Sequence, residues 1–473
     1  MTFSNLWYKL SKGWRKFWEN KNLSKKIIFT IIMLTVFVFG TTITAPFIRI
    51  ADPSQLSNNA FLNTLNLIGG GGLRQFSIFA LGISPFINAS LIMMILQSKF
   101  VPPIYKLSQS GPQGRKKINV ITRFVTLAIA YPQAVFLTRA LSSGSPSSVF
   151  ISITGTQYFS ENALVYFIIP MILVSASLLA LFISEQITNK GVGNGTSLLI
   201  FTGIAARLPR QFHTAILYYI GDLAESGIMK GIISFISYLL VYILTIVIIA
   251  IVYVSERHVP IQQVGAGRSK SRKEMGKLPI KANPGGIMPI IFAMLVLSFP
   301  TMIANVLPQH SAAKFWININ LQFTQPIGFT LLIVIVLVFS VLMGIQQSKV
   351  DKIAEDFTKN STFIPGVRPG EETQDYLVAI VFRLSVFSSL YLVILGSMQF
   401  IAIMAHILPQ AIAFGGTGLM ILVSTSLETL GQLKARRMSN KLSKAKRLTL
   451  ENFENLNSDK SDDDKKMGTG LLW

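Results

Sequence analysis

The chain reads as an all-α polytopic membrane protein, with ten transmembrane helices in two inverted five-helix halves and one short re-entrant segment. Three observations predict this. Of the residues, 51% are hydrophobic and 14% are charged, with mean hydropathy +0.52; soluble globular domains carry about 25% charge. Ten apolar runs recur along the 473 residues, most of them close to the roughly 20 residues that a helix needs to cross a bilayer. Basic residues, 43 Lys and Arg against 21 Asp and Glu, gather in alternate loops between those runs, which is the signature of membrane orientation.

Residues 1–26 are basic and aromatic. Leu6, Trp7, Leu10, Trp14, Phe17 and Trp18 recur at helical spacing, with Lys9, Lys12, Arg15 and Lys16 between them. That pattern predicts an amphipathic helix on an anionic lipid surface. The first span is 27–47. Its apolar core is too long for a cleaved leader, and Pro46 follows Ala45 where cleavage would be expected. An outside loop, 49–67, leads to Gly69, Gly70, Gly71 and Gly72, then Leu73 and Arg74. Consecutive glycines each lower helix propensity by roughly 1 kcal/mol, and 61–73 is too short to span. Irregular backbone survives in lipid only where protein shields it or where it lines a cavity. Residues 61–75 are therefore expected to fold into the mouth of something hollow. The second span is 76–96, broken once at Pro85.

The next loop, 98–117, carries Lys99, Lys106, Arg115, Lys116 and Lys117 and no acid. Spans three to five are 118–141, 163–183 and 196–208. Arg123 and Arg139 lie near the ends of the third, placed to snorkel. The Ser/Gly-rich stretch 142–162 has no base and faces outside. The sixth span is 231–254, and the loop after it, 255–284, holds Arg257, Arg268, Lys270, Arg272, Lys273, Lys277 and Lys281. The seventh, 285–307, is interrupted by Pro289 and Pro300. The eighth is 327–345, followed by a mixed-charge loop, 346–376. The ninth and tenth are 377–400 and 416–430. The tail turns from basic to acidic and is expected to be disordered beyond Leu456.

The loops on one side hold most of the Lys and Arg, while the opposite loops hold Arg49, Arg74, Lys230 and Lys314. The positive-inside rule then puts both termini in the cytoplasm. The chain divides into a cytoplasmic segment 1–26, an N-terminal half 27–212, a C-terminal half 213–434 and a tail 435–473. Five spans per half forces the halves into opposite topology. Both the second and the seventh span follow glycines and carry an early proline, Pro85 and Pro289.

Catalytic signatures are missing. Gly69 to Gly72 lack the Gly-Lys-Ser/Thr ending of a phosphate loop, and Gly191, Gly193 and Gly195 follow a membrane span, not a strand. With no cysteine there is no thiolate or disulfide chemistry. None of His213, His258, His310 and His406 has a metal-ligand neighbour at helical spacing, so no metal or other cofactor is expected. Acids within the spans are scarce, Glu185 and Glu428 lying at their ends. Ion-coupled carriers place ionisable groups near the midplane, so a secondary transporter is disfavoured.

Five motifs carry a resemblance to a known family: SIFALGISPFINASLIMMIL at 77–96, GVGNGTSLLIFTGIAARLP at 191–209, ANPGGIMPIIFA at 282–293, FIPGVRPGEET at 363–373 and AFGGTGLMILVS at 413–424. In this order they resemble the second, fifth and seventh helices, a large cytoplasmic loop and the tenth helix of the SecY family, the channel subunits of the bacterial protein translocase. The resemblance implies a passive, non-enzymatic protein-conducting channel of the plasma (inner) membrane. It implies a re-entrant plug helix over 61–75, including Gly69, Gly70, Gly71, Gly72, Leu73 and Arg74, with mobility from the glycines and a hinge near Phe76. It implies a pore ring of Ile83, Ile87, Ile200, Ile291 and Ile421; Thr196 stands at a further ring position and departs from its apolar preference. Ile83 and Ile87, four apart, share one helix face, and a ring of branched aliphatic side chains makes a dewetted gate. Spans two and seven, with Pro85, Pro289 and Phe299, would form a lateral gate. The loops with Arg257, Arg268 and Lys273, and with Arg368, Pro369 and Gly370, would dock the ribosome and the motor ATPase SecA. SecE, SecG, a translocating polypeptide with its signal sequence, and anionic lipids complete the implied partners. The alternative is a solute transporter built on a five-plus-five repeat. Uptake of one small solute into proteoliposomes, indifferent to Arg368, would favour it.

Overall fold

The computed structural model describes residues 21–50, 72–97, 101–142, 151–154, 159–221, 228–263, 276–306, 311–409 and 412–468. The expected amphipathic segment before Lys21 and Gly69, Gly70 and Gly71 lie outside the described residues, as do Arg268 and Lys273.

The helices follow the apolar runs. They are α1 (Lys21–Thr42), α2 (Ser84–Leu96), α3 (Pro102–Gln109), α4 (Gly111–Ser142), α5 (Glu161–Lys190), α6 (Gly195–Ala205) and α7 (Leu208–Ile216). Next come α8 (Ile228–Val254), α9 (Met288–Val306), α10 (Ala312–Asn320), α11 (Pro326–Ser348), α12 (Val350–Lys359), α13 (Glu371–Met404) and α14 (Gly416–Gly468). Among the described residues six helices are long and apolar enough to cross a membrane, and α2 and α9 contribute shorter apolar helices. The apolar residues of the long helices that remain exposed, such as Phe124, Ile233, Leu240 and Ile394, match a lipid-facing exterior.

Four expectations are corrected. The second span does not begin as a helix at Phe76. Residues 76–83 are a buried chain of turns, and α2 starts at Ser84 with Pro85 in its first turn, where its missing N–H costs no helix bond. Pro85 therefore opens the helix; it does not break it. The loop 98–117 contains α3 and the first turns of α4. The tail past Leu456 is helical to Gly468. No glycine or proline stands between Gly431 and Gly468, so nothing local interrupts the helix over that stretch. Lastly, the fold is mostly but not wholly helical. Two small sheets exist: β1 (Ile48–Ile50) pairs antiparallel with β2 (Ile151–Ile153), and β3 (Glu256–Gln263) lies between β4 (Gly276–Lys281) and β5 (Thr362–Phe363).

Two apolar clusters organise the interior. One joins α8, α9, α11, α13 and α14 through Tyr242, Leu297, Val336, Leu392 and Leu419. The other is central and draws on both halves of the chain: Phe37 from α1, Leu91 from α2, Ile183 from α5, Leu199 from α6, Leu295 from α9 and Met343 from α11. The α11–α13 seam is tight because it lacks side chains at Gly344, where an added Cβ would sit 2.1 Å from Ser385 Oγ. Gly344→Leu should force these helices apart and cost about 1–3 kcal/mol, read as a lowered thermal unfolding midpoint of the purified chain in detergent.

Candidate functional site

The site begins with a six-residue repeat. Gly82-Ile83-Ser84-Pro85-Phe86-Ile87 and Gly286-Ile287-Met288-Pro289-Ile290-Ile291 share Gly-Ile-x-Pro-x-Ile. The backbone repeats with it. Gly82 has φ +52° and Gly286 φ +59°, left-handed values that a Cβ disfavours. Proline then takes an early helical position in α2 and α9. In both copies the residue four on from the first isoleucine bonds back to it, Ile87 N–H to Ile83 O at 3.1 Å and Ile291 N–H to Ile287 O at 3.4 Å. Each pair of isoleucines thus faces one way. Ile287 was not singled out from the sequence, although its four-residue spacing to Ile291 equals that of Ile83 to Ile87.

Two further segments bring the other isoleucines. α6 starts where the Asn194 side chain caps it by accepting the Thr196 N–H at 3.2 Å. Gly195 lets α6 approach α5 so closely that a Cβ there would meet Ser184 O at 1.9 Å. This places Ile200 inward. α14 enters through Gly415 and Gly416 and places Ile421. Ile83, Ile87, Ile200, Ile291 and Ile421, from four separate segments, all fall in the central apolar cluster, each at most 6% exposed.

A cavity of about 570 Å³ stands against this cluster. Ile87, Ile200, Ile287, Ile291 and Ile421 form its apolar part, while Ile83 is buried outside its walls. Its polar wall includes Thr196, Lys281, Asn283 and Glu428, and Glu428 is the one carboxylate on it among the described residues. Thr196 turns its hydroxyl to Ser184 Oγ at 3.0 Å, which removes a polar group from competition for the cavity. Lys281 lies over the Tyr253 ring, 4.7 Å from its centre, an arrangement in which the ring face holds the cation. Among the described residues no three of His, Asp and Glu converge as a metal site would require.

The stretch before α2 is held tightly where it is described. Gly72, Leu73 and Arg74 lie in a 3-10 turn, Gly72–Gln75. Leu73 and Phe76 are buried in a third cluster with Ala45, Ile48 and Leu137. Phe76 takes φ +41°, and its carbonyl accepts the Ala45 N–H at 2.9 Å while Ile78 N–H donates to Ile43 O at 3.0 Å. Phe76 is thus pinned to the end of α1. α2 and α9 face one another across a slot of about 170 Å³. Pro85 and Pro289 sit in the first turns of these two helices, and Phe299 belongs to α9. Arg123 forms a bidentate pair with Glu185 at 2.7 and 2.8 Å.

The two basic loops prove to be one platform. β5, next to the Pro365–Gly370 tip, extends the β3–β4 hairpin, with Gln262 opposite Phe363 and Gln263 opposite Thr362. Val259, Val350, Ile364, Leu377 and Val381 give it a core of its own. At the tip, Gly366 and Gly370 take φ +87° and +109°. The Arg368 backbone is held from both sides: its N–H donates to Glu372 Oε2 at 3.3 Å, and its carbonyl accepts from Thr373 Oγ1 at 2.7 Å. Its guanidinium is 87% exposed and only 3.9 Å from Glu372. The main chain is fixed while the charge is offered to solvent. Arg257 is exposed on β3, and Pro369 on the tip.

The SecY family model matches residues 77–430. The protein translocase subunit SecY of Mycoplasma capricolum subsp. capricolum is 33% identical over 453 residues, covering 94% of this chain and 92% of that one. The same subunit of Bacillus subtilis is 33% identical over 427 residues, covering 89% and 96%. Among solved structures, a protein-conducting channel superposes with TM-score 0.60 at 18% identity, over 88% of this chain and 92% of that one. Sec61 in the canine ribosome-channel complex from the endoplasmic reticulum gives 0.53 at 17% identity, with the same coverage.

The backbone at Gly370, φ +109° and ψ −132°, is open essentially to glycine alone. Gly370→Ala should cost about 1–3 kcal/mol of local order at the tip, seen as faster amide exchange at Val367 and Gln374, whose N–H groups bond Ile364 O and Gly370 O.

Proposed function

The chain belongs to the SecY family, and from that premise we propose that it is the channel subunit of a protein translocase. It passes unfolded secretory polypeptides across the plasma membrane and releases apolar segments sideways into the bilayer. The observation that carries this reading is the convergence of Ile83, Ile87, Ile200, Ile291 and Ile421 in one apolar cluster, the last four of which line a cavity with a partly polar wall. A waist of branched aliphatic side chains excludes water and ions. It forms no specific bonds, so it can yield around chains of any sequence.

In this reading ten segments span the membrane in two inverted halves, and both termini lie on the basic, cytoplasmic side. Residues 61–75 plug the resting channel. α2 and α9 form the lateral gate, with Pro85, Pro289 and Phe299 on its two helices. The pore is passive, not an enzyme, and takes its energy from a motor such as SecA or from the ribosome. The β3–β4–β5 platform, with Arg257 and the Arg368-Pro369-Gly370 tip, is the docking face, where basic groups would meet rRNA phosphates or the motor. SecE and SecG are its expected membrane partners, and the basic N-terminal segment meets anionic lipids.

Two measurements test this. Replacing Ile83 and Ile87 together with serine should raise resting ion conductance in planar bilayers, and an unchanged conductance would remove the ring. Arg368→Glu should block motor-driven export. Because Arg368 is an exposed side chain, the change should leave insertion intact and stability within about 0.5 kcal/mol. Export at the normal rate in that variant would discard the docking role.

A further inference from the structure

A hydroxyl in a membrane helix commonly bonds back to a carbonyl three or four residues earlier in the same helix, which ties it to nothing else. In α5, Ser175 does this with Met171 O at 2.8 Å, and in α13 Ser389 does it with Val386 O at 2.7 Å. Ser177 and Ser388, close neighbours of these two on the same helices, behave differently. Both are almost wholly buried, at 3% and 1% exposure, and both reach across to another segment.

Ser177 Oγ donates to Gly82 O at 2.8 Å, 95 residues away. Ser388 Oγ donates to Asn283 Oδ1 at 2.7 Å, 105 residues away, and Asn283 Nδ2 donates to Gly286 O at 3.1 Å. The carboxamide can serve both partners only this way round, since its oxygen accepts and its NH2 donates. Gly82 and Gly286 are the two left-handed glycines that open the Gly-Ile-x-Pro-x-Ile repeat. Each has its carbonyl held from a serine, once directly and once through a carboxamide. The serines correspond as the glycines do. α5 contains the fourth apolar run of the first five and α13 the fourth of the second five, and each serine stands near the middle of its helix.

These two carbonyls need such donors. In a regular helix the carbonyl of residue i accepts from the N–H of residue i+4. The turn at each glycine diverts that N–H: Phe86 N–H bonds Ile83 O at 3.0 Å, and Ile290 N–H bonds Ile287 O at 3.2 Å. The glycine carbonyls are left to side chains, and a carbonyl left unpaired within the membrane is costly. The residue after each glycine is the first isoleucine of its pair, Ile83 or Ile287. Holding the glycine carbonyl therefore fixes the peptide plane from which that isoleucine departs.

We infer that Ser177 and Ser388 are positioning residues for the isoleucine gate. Ser177 sets Ile83 with Ile87, and Ser388, through Asn283, sets Ile287 with Ile291. This role rests on the gate reading proposed above.

Ser177→Ala and Ser388→Ala remove the hydroxyl and almost no volume. In planar bilayers, with the full chain and its translocase partners, each should raise resting ion conductance roughly threefold, the average weight of one side-chain hydrogen bond between membrane helices. The double variant should raise it roughly tenfold, since the two sites share no partner. Ser175→Ala and Ser389→Ala delete the same group from the same helices and should leave conductance at the wild-type level. In parallel, amide exchange is followed in detergent. Ser177→Ala should speed exchange at Phe86 and Ile87 and leave Ile290 and Ile291 unchanged, and Ser388→Ala should do the reverse. Exchange that stays at the wild-type rate in both variants, or a leak as large in Ser175→Ala and Ser389→Ala, overturns the anchors. Faster exchange with unaltered conductance keeps the anchors and discards the gate reading beneath them.

Discussion

Backbone polar groups cannot be left unpaired in hydrocarbon, and the cavity exists because two irregular stretches satisfy that demand inside the protein. Residues 76–83 bond to the end of α1, through Ala45 and Ile43, and to Gly72 O through the Ser77 N–H. Residues 191–195 are held by side chains from three helices. Val192 N–H donates to Thr30 Oγ1 at 3.0 Å, Gly195 N–H to Thr188 Oγ1 at 2.9 Å, and Gly193 N–H to Gln432. With those groups paired, α2 and α6 can start within the bundle. Their first turns then bring isoleucines to a common level instead of burying them along full-length spans.

That arrangement accounts for the distribution of polarity in the site. The floor is aliphatic where four segments converge, and the polar side chains lie on the wall toward the β3–β4 hairpin. Thr196 shows how the boundary is kept. Its hydroxyl is paired with Ser184, so a threonine can stand beside isoleucines without leaving an unpaired group. The platform beyond follows a similar logic at lower cost. Glu372 and Thr373 fix the Arg368 main chain from the first turn of α13, where an acid also complements the helix dipole, and the side chain stays exposed.

Much of this was legible in the residues. Apolar run length located the membrane helices, and the Gly-Pro entries of the second and seventh spans marked the repeat. The ring isoleucines stood in the motifs that carried the family resemblance. The glycine that matches Gly286 is Gly82, which shares its left-handed backbone. Run length failed at Phe76, since a buried turn and a buried helix are equally apolar.

What the sequence determined by itself was which segments leave water, on which side the charge gathers, and which residues pair across a single helix turn, because these depend on neighbours in the chain. Tertiary structure alone decided that the hairpin after α8 and the tip before α13 share one sheet through Gln262–Phe363. It alone brought Ile83, Ile200, Ile291 and Ile421 to one cluster and set Ser388 against Asn283. Strands of two residues carry no readable periodicity, and contacts between groups some 100 to 340 residues apart are set by packing and hydrogen-bond satisfaction, which no local pattern encodes.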